Sequence, residues 1–394
     1  MVNNMGCFLD VFYHSLKKSG EELCGDMVNV IRLSDSTIIV LADGLGSGVK
    51  ANILATLTSQ IAGTMLKEGA DIYETVDTIV KTLPVCKIRK IAYSTFTIVK
   101  INDDGTVYMA EYDNPHFFLI RNGKHVDIPK NDVIINDKKV SEYLFTLEEG
   151  DIFTLVSDGV THAGLGEILN LGWRWENIKE YLEKIYSPDK SAHEIVKNVL
   201  EVCMAFDGGK PGDDTTALTV RVKKEQHVDL FAGPPKNPEN DSIAIKSFAA
   251  GSGTKIICGG TAANIASREL HRPLKVDMNY ADKNIPPTAS MKGIDLITEG
   301  VLTLSRALEI IKNYSSSAKN LKDYDLSFGE DGASLLAKIL IFECSHLNLW
   351  IGKAINPAHQ NPDFPSDLSI KLNIILEIKE QLESLGKKVF LNYI

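Results

Sequence analysis

Four aspartates in this chain stand beside a glycine at the end of an apolar run: Gly25-Asp26, Asp43-Gly44, Asp158-Gly159 and Gly212-Asp213, the last followed by Asp214. A single pair of this kind reads as a turn, where Asp and Gly serve backbone geometry alone. Four of them, spread over one half of the chain, ask for another reason. Carboxylates brought together repel unless a cation neutralises them. Oxygen donors without His or Cys select hard divalent ions, Mg²⁺ or Mn²⁺. Two such ions a few ångströms apart hold a bridging hydroxide and clamp a phosphate for in-line attack, so no protein nucleophile is required. The same half of the chain contains no Gly-x-Ser-x-Gly elbow and no activated Cys motif.

The pattern around these residues predicts how they are positioned. Residues 27–33 and 37–41 read as an antiparallel hairpin, which puts Asp26 and Asp43 at one sheet edge. Gly46 and Gly48 let the chain turn tightly from strand to helix. The following helix carries Val49, Ile53, Leu57, Ile61 and Met65 at helical spacing, a stripe expected to face the core. A second helix starts at Asp71 with Glu74 in capping-box register and ends at Pro84. Strands are expected over 92–101, 106–112, 117–121, 125–128 and 151–157, helices over 175–185 and 191–206, and a closing strand over 215–222. This order suggests antiparallel sheets with helices on their outer faces rather than alternating βαβ units.

The composition bounds the function. A net charge of −10 over 394 residues argues against non-specific nucleic-acid binding. Six scattered cysteines without a C-x-x-C pair argue against a zinc cluster or a disulfide framework, and for a reducing compartment. Residues 1–7 lack the basic and apolar regions of a secretory signal. The most apolar window, 335–352, carries Lys338, Glu343 and His346 and so does not read as a membrane span. The expected location is cytoplasmic, with no membrane partner.

Pro234, Pro235 and Pro238 mark an expected linker over 225–241, between a domain at 1–224 and a smaller α/β domain at 242–394. In the second domain Cys258-Gly259-Gly260-Thr261 follows a strand and precedes a helix. That arrangement suits a phosphate or nucleotide as well as a tight turn, but it is neither a Walker A loop nor a Gly-x-Gly-x-x-Gly fingerprint. The polar loop Asn356-Pro357-Ala358-His359 has no assigned chemistry.

Taken as a set, Cys24-Gly25-Asp26, Ala42-Asp43-Gly44-Leu45-Gly46-Ser47-Gly48, Tyr93-Ser94-Thr95-Phe96, Asn114-Pro115-His116 through Asn122-Gly123, Leu155-Val156-Ser157-Asp158-Gly159-Val160 and Asp213-Asp214-Thr215-Thr216 resemble the stage II sporulation protein E-type branch of the protein phosphatase 2C superfamily. The resemblance runs in order over residues 6–224. It implies an α+β fold, a four-layer αββα sandwich, and a metal-dependent phosphoserine/phosphothreonine phosphatase of bacterial signalling. It also implies that Asp26, Asp43, Asp158 and Asp213 hold two Mn²⁺ or Mg²⁺ ions, with the Gly44 carbonyl as a further ligand. Asp43 bridges both ions in this reading, and Asp214 is second to Asp213 or exchanges roles with it. Typical substrates of the branch are small phosphoproteins, often anti-sigma-factor antagonists.

Two departures stand out. Asp113-Asn114-Pro115-His116 replaces the branch's Asn-Ala-Gly-His, and His162 stands where a glutamate is common. No arginine near Asp26 matches the phosphate-gripping residue of the eukaryotic-type enzymes. Other polar residues have plainer readings: Asp151 as a strand-opening turn, His116 as a hydrogen-bonding residue, Lys50 as a solvated lysine, Cys24 as packing. The rival hypothesis is a non-catalytic scaffold that binds a partner or metabolite through residues 242–394.

Overall fold

The computed structural model describes residues 6–82, 94–166, 168–277, 286–315, 328–353 and 370–394. The chain divides into two compact units, Met1–Lys224 and Glu225–Ile394. Residues 84, 86, 92–93 and the 356–362 loop, on which some sequence expectations fall, lie outside the described residues.

The first unit runs β1 (Cys7–Leu16), β2 (Asp26–Arg32), β3 (Ser36–Gly44), α1 (Gly48–Lys67), α2 (Ile72–Thr82), β4 (Ser94–Asn102), β5 (Thr106–Tyr112), β6 (Phe118–Arg121), β7 (Lys124–His125), β8 (Asn131–Ile135), β9 (Lys138–Thr146), β10 (Ile152–Val156), α3 (Asp158–His162), α4 (Trp175–Ile185), α5 (Ala192–Phe206) and β11 (Thr215–Lys224). Among the described residues two antiparallel sheets form, β1-β11-β10-β6-β7 and β2-β3-β4-β5-β9-β8. Their inner faces share one core. Leu41, Val99 and Met109 from one sheet meet Phe153, Leu155 and Leu218 from the other. The outer face of the β3 sheet is covered by α1 and α2 through Ala55, Ala62, Val76 and Ile79. Helix α5 covers β1 and β11 on the far side. This is the four-layer αββα sandwich.

Helix α1 corrects the sequence expectation about its face. Val49, Ile53 and Leu57 are about half exposed, and the buried face is Ala51, Ala55, Thr58, Ser59, Ala62 and Gly63. The reason is proximity. A Cβ on Gly44 would lie 2.0 Å from the Ala51 carbonyl oxygen, so helix and sheet are too close for large side chains. The β8–β9 hairpin was not expected. Asn136 and Asp137 both take positive φ at its tip, the turn type that suits the strand twist. A Ser191–Glu194 capping box opens α5.

The second unit runs β12 (His227–Ala232), α6 (Asp241–Ala250), β13 (Thr254–Cys258), α7 (Gly260–Leu270), β14 (Lys275–Val276), β15 (Ala289–Met291), β16 (Ile294–Thr298), α8 (Val301–Ser315), α9 (Gly332–Phe342), β17 (His346–Ile351), α10 (Ile370–Ser384) and β18 (Lys388–Tyr393). Strands β16-β13-β12-β17-β18 are parallel, and β14-β15 add an antiparallel edge. Much of the expected linker is therefore structured. Residues 227–232 are the central strand, with Val228, Leu230 and Phe231 fully buried, and the second unit begins at Glu225 rather than at 242. The prolines come after this strand, in the connection to α6. Asp229, mid-strand, is held by the Lys255 ammonium, the Asn348 amide and the Trp350 indole N–H, which lets a charged residue occupy a central strand. The apolar window at 335–352 is α9 followed by β17. No described helix is long and apolar enough to cross a membrane.

Candidate active site

Strand register performs the first step of assembly. Asp26 and Asp43 are directly opposed across β2 and β3. Asp43 in turn opposes Thr95, and Gly44 opposes Ser94, whose hydroxyl donates to the Asp43 carbonyl at 2.9 Å. The second sheet supplies the remaining carboxylates. Asp158 opens α3 immediately after β10, and Asp213-Asp214 lead into β11, the neighbour of β10. Ser157 ties these two strand ends together: its N–H donates to the Thr216 carbonyl and its hydroxyl accepts from the Thr216 N–H, both at 2.9 Å.

The five carboxylates converge. Asp26 is 4% exposed, and its Oδ2 accepts from the Thr216 hydroxyl at 2.6 Å. Burial, then the charges of Asp214 and Asp158, push its pKa up to about 8, against the pull of hydrogen bonds from Thr216 and Ser157. Asp43 rises to about 9 through burial and the charges of Asp26, Asp158, Asp213 and Asp214. Asp158 is raised as well, by burial and by Asp213, although it shares a hydrogen bond with Asp43 and lies 3.9 Å from His162.

Glycines are needed where the backbones approach. A Cβ on Gly159 would meet the Asp214 carbonyl oxygen at 2.1 Å, and one on Gly25 would meet Asp214 Oδ2 at 2.8 Å. Gly212, by contrast, has open space around it.

Whether a cation fits here is tested by the carboxylate oxygens themselves. Asp26 Oδ1 and Asp214 Oδ2 are buried and have no hydrogen-bond partner. An orphaned buried carboxylate oxygen is costly unless a proton or a cation satisfies it. An oxygen-rich group of this kind, with no His or Cys donor, fits Mn²⁺ or Mg²⁺. Asp213 and Asp214 divide the labour. Asp213 is the more open, and its charge acts on Asp43 and Asp158; Asp214 is 4% exposed and turns Oδ2 toward Gly25.

Lys18 was not singled out in the sequence. Its N–H donates to Asp214 Oδ1 at 2.9 Å and its ammonium lies 3.4 Å from Asp213 Oδ1. Nothing in its sequence context marks it, because it reaches the site from the turn after β1. Thr216 and Ser94 were also missed as supports, although both lie inside motifs quoted for the resemblance.

The other candidates have structural settings. Asp151 is fully buried in a two-pronged ion pair with Arg121, at 2.9 and 2.8 Å. Lys50 is exposed. The Cys24 thiol is pushed far up by burial and by Asp26 and Asp214, which keeps it protonated and poorly nucleophilic. His116 Nδ1 is 3.2 Å from both Glu111 Oε2 and the Tyr143 hydroxyl, and its carbonyl accepts from the Trp175 indole. His116, Glu111 and Tyr143 line a cavity of about 500 Å³ that also includes Asn114, Lys130 and Lys139. Asn114 donates to Thr97, two residues along β4 from the partner of Asp43, so the cavity continues the same face of that strand. In the second unit Gly259, at φ 124°, makes the turn from β13 into α7.

Residues 34–223 match the family model described as Stage II sporulation protein E (SpoIIE). The match takes in Asp43, Gly44, Asp158, Asp213 and Asp214. Asp26 precedes it and joins the group through its register with Asp43. A search of curated proteins finds no match. Among solved structures, the phosphatase domain of the cell fate determinant SpoIIE from Bacillus subtilis is 20% identical over 56% of this chain and 94% of its own, with a TM-score of 0.45. The RsbU and RsbW domains of Rv1364c from Mycobacterium tuberculosis are 15% identical over 61% and 68%, with a TM-score of 0.47. The SiaA-PP2C domain of Pseudomonas aeruginosa is 16% identical over 53% and 85%, with a TM-score of 0.44. Residues 34–223, just under half of the chain, are thus similar to the Stage II sporulation protein E (SpoIIE) family.

Proposed function

We propose that the first unit hydrolyses phosphoserine and phosphothreonine in a protein substrate, with two Mn²⁺ or Mg²⁺ ions held by Asp26, Asp43, Asp158 and Asp213, by Asp214, and by the Gly44 carbonyl. One observation carries this reading: five carboxylates from both sheets meet at one point, and two of their buried oxygens have no hydrogen-bond partner. Bound there, the ions supply Lewis-acid charge and an activated water for attack on phosphorus. The protein's own contribution is positioning. Thr216 and Ser157 orient Asp26, Ser94 pins the Asp43 backbone, and Lys18 balances Asp213. Lys18, about one-third exposed beside Asp213, also offers a cation to an incoming phosphate. The substrate we propose is a small phosphoprotein of the anti-sigma-factor antagonist kind, as the family resemblance implies.

The test is hydrolysis of p-nitrophenyl phosphate and of phosphoserine and phosphothreonine peptides with Mn²⁺ or Mg²⁺ present. The expected result is metal-dependent turnover that Asp43→Ala and Asp158→Ala abolish. Absence of turnover on every such substrate overturns the proposal. Capture of a phosphorylated protein by the inactive Asp158→Ala chain then names the substrate.

A further inference from the structure

We propose that the second unit carries a site for a borderline transition ion, best suited to Zn²⁺, formed by Glu225, His227 and His346. One ligand atom from each residue lies within 4.8 Å of the other two. Sheet geometry brings them together. His227 and His346 are register partners on the adjacent parallel strands β12 and β17, so their side chains leave the same face; Glu225 lies two residues before His227, just ahead of β12. The two imidazoles stack with centroids 4.7 Å apart, and His346 Nε2 lies 4.0 Å from Glu225 Oε1.

The surroundings prepare His346 to act as a ligand. Its Nδ1 is 3.0 Å from the Ser345 hydroxyl, which is itself locked to the Gln226 backbone by bonds of 2.7 and 3.0 Å. The tautomer in which Nδ1–H donates to Ser345 leaves the lone pair on Nε2, the atom that faces Glu225. An outer hydrogen bond that fixes ring and tautomer is the usual support for a metal-bound histidine. His346 is 12% exposed, and burial lowers its pKa, with His227 and Lys388 adding to the effect and Glu225 opposing it. Burial thus favours the neutral ring. Lys388, its register partner on β18, is the competing cation at this edge.

The donor set defines the ligand class. Two imidazoles and one carboxylate suit zinc at about 2.0–2.2 Å, with a fourth position left for water or a further ligand. Ligand atoms around a tetrahedral ion lie about 3.3 Å apart at such bond lengths, so the cluster must tighten. Exposed His227 and half-buried Glu225 can do this by side-chain rotation. The site lies at the opening end of the parallel strands, at the far end from the Gly233, Gly259, Gly300 and Gly352 turns. No residue of the aspartate cluster belongs to it.

The experiment is a Zn²⁺ titration of the metal-stripped full chain against a chromophoric chelator, repeated with Co²⁺ for its visible absorption, in an Asp43→Asn background that disables the aspartate cluster. The expected result is one tight equivalent, weakened about tenfold or more by His346→Ala and by His227→Ala. Four-coordinate Co²⁺ bands are expected to disappear with it. Equal affinity and stoichiometry in parent and His variants overturn the proposal, as does the absence of a tight equivalent in the parent. His227→Ala removes an exposed ring and keeps the test decisive if His346→Ala fails to fold.

Discussion

In the first unit Asp26 and Asp43 face each other across an antiparallel pair of strands; in the second, His227 and His346 face each other across a parallel pair. The device is the same. Register places two donors on one sheet face, and further donors arrive from outside that pair. The difference lies in how burial treats the donors. Burial and mutual repulsion favour the protonated form of Asp26 and Asp43, which cannot bind a cation. Burial favours the neutral form of His346, which can. One cluster must shed protons to bind metal; in the other, burial of His346 works in the ligand's favour.

The largest expected effect separates the two clusters by function. Asp43→Asn keeps shape and removes charge at the residue that feels all four other aspartates. A loss of about a thousandfold or more in kcat/KM is expected, the scale of losing a central electrostatic contributor in a catalytic site. The same variant leaves the zinc equivalent of the second unit in place. Loss of both on one substitution breaks the comparison.

The second effect is a pH dependence that falls in different ranges at the two sites. Metal-free Asp26 and Asp43 hold their protons up to about pH 8 and 9, so Mn²⁺ binding at pH 7 releases protons. Affinity is expected to rise about tenfold per pH unit for each proton released, up to about pH 9. Calorimetry in two buffers of different ionisation enthalpy reads that release directly. Zinc binding at His346 above pH 7 releases no proton from that ring, since its pKa is lowered.

Carboxyls whose folded pKa lies above the unfolded value contribute stability at low pH, and that contribution is lost as pH rises. Metal-free protein is expected to lose melting temperature as pH climbs from about 4 towards 8 or 9, and Mn²⁺ to restore it. A flat profile without metal contradicts the raised values.

A third effect distinguishes the Asp-Gly pairs from one another. Gly44→Ala forces the Ala51 backbone away from β3, because the new Cβ would sit 2.0 Å from its carbonyl oxygen. Overpacking of this kind costs about 1–3 kcal/mol, and it moves the helix that covers the site. Gly212→Ala meets nothing within 4 Å, so denaturant unfolding is expected to show a shift within about 0.5 kcal/mol. Equal costs at the two positions contradict the close helix–sheet approach.

These contrasts explain what the sequence reveals. The aspartates are legible because strand ends, glycines and capping boxes are local signals, and the hairpin that opposes Asp26 to Asp43 is short. The β8–β9 hairpin carries a local signal too, Asn136-Asp137 after the apolar run Val133-Ile134-Ile135. Strand β12 was hidden because three prolines just after it draw the eye to a linker, and because Asp229 breaks its apolar run until Lys255 is seen beside it. The His227–His346 pair and Lys18 had no local signal at all. They meet their partners only through long-range strand pairing and a loop contact.

The smallest expected effect tests the lesson of α1, where spacing was right and direction was wrong. Helical periodicity finds an apolar stripe but does not say which stripe faces the sheet when small residues form a second one. Here Ala51, Ala55 and Ala62 face it and Val49, Ile53 and Leu57 do not. Ile53→Ser is therefore expected to change unfolding free energy by less than about 0.5 kcal/mol, because a half-exposed side chain leaves no cavity. Ala55→Ile, on the fully buried face, is expected to cost about 1–3 kcal/mol. The reverse ranking would turn the helix over and place the large side chains inward. It would also move the Gly44–Ala51 approach that sets the floor of the aspartate cluster, so this pair of substitutions checks the frame on which the other predictions stand.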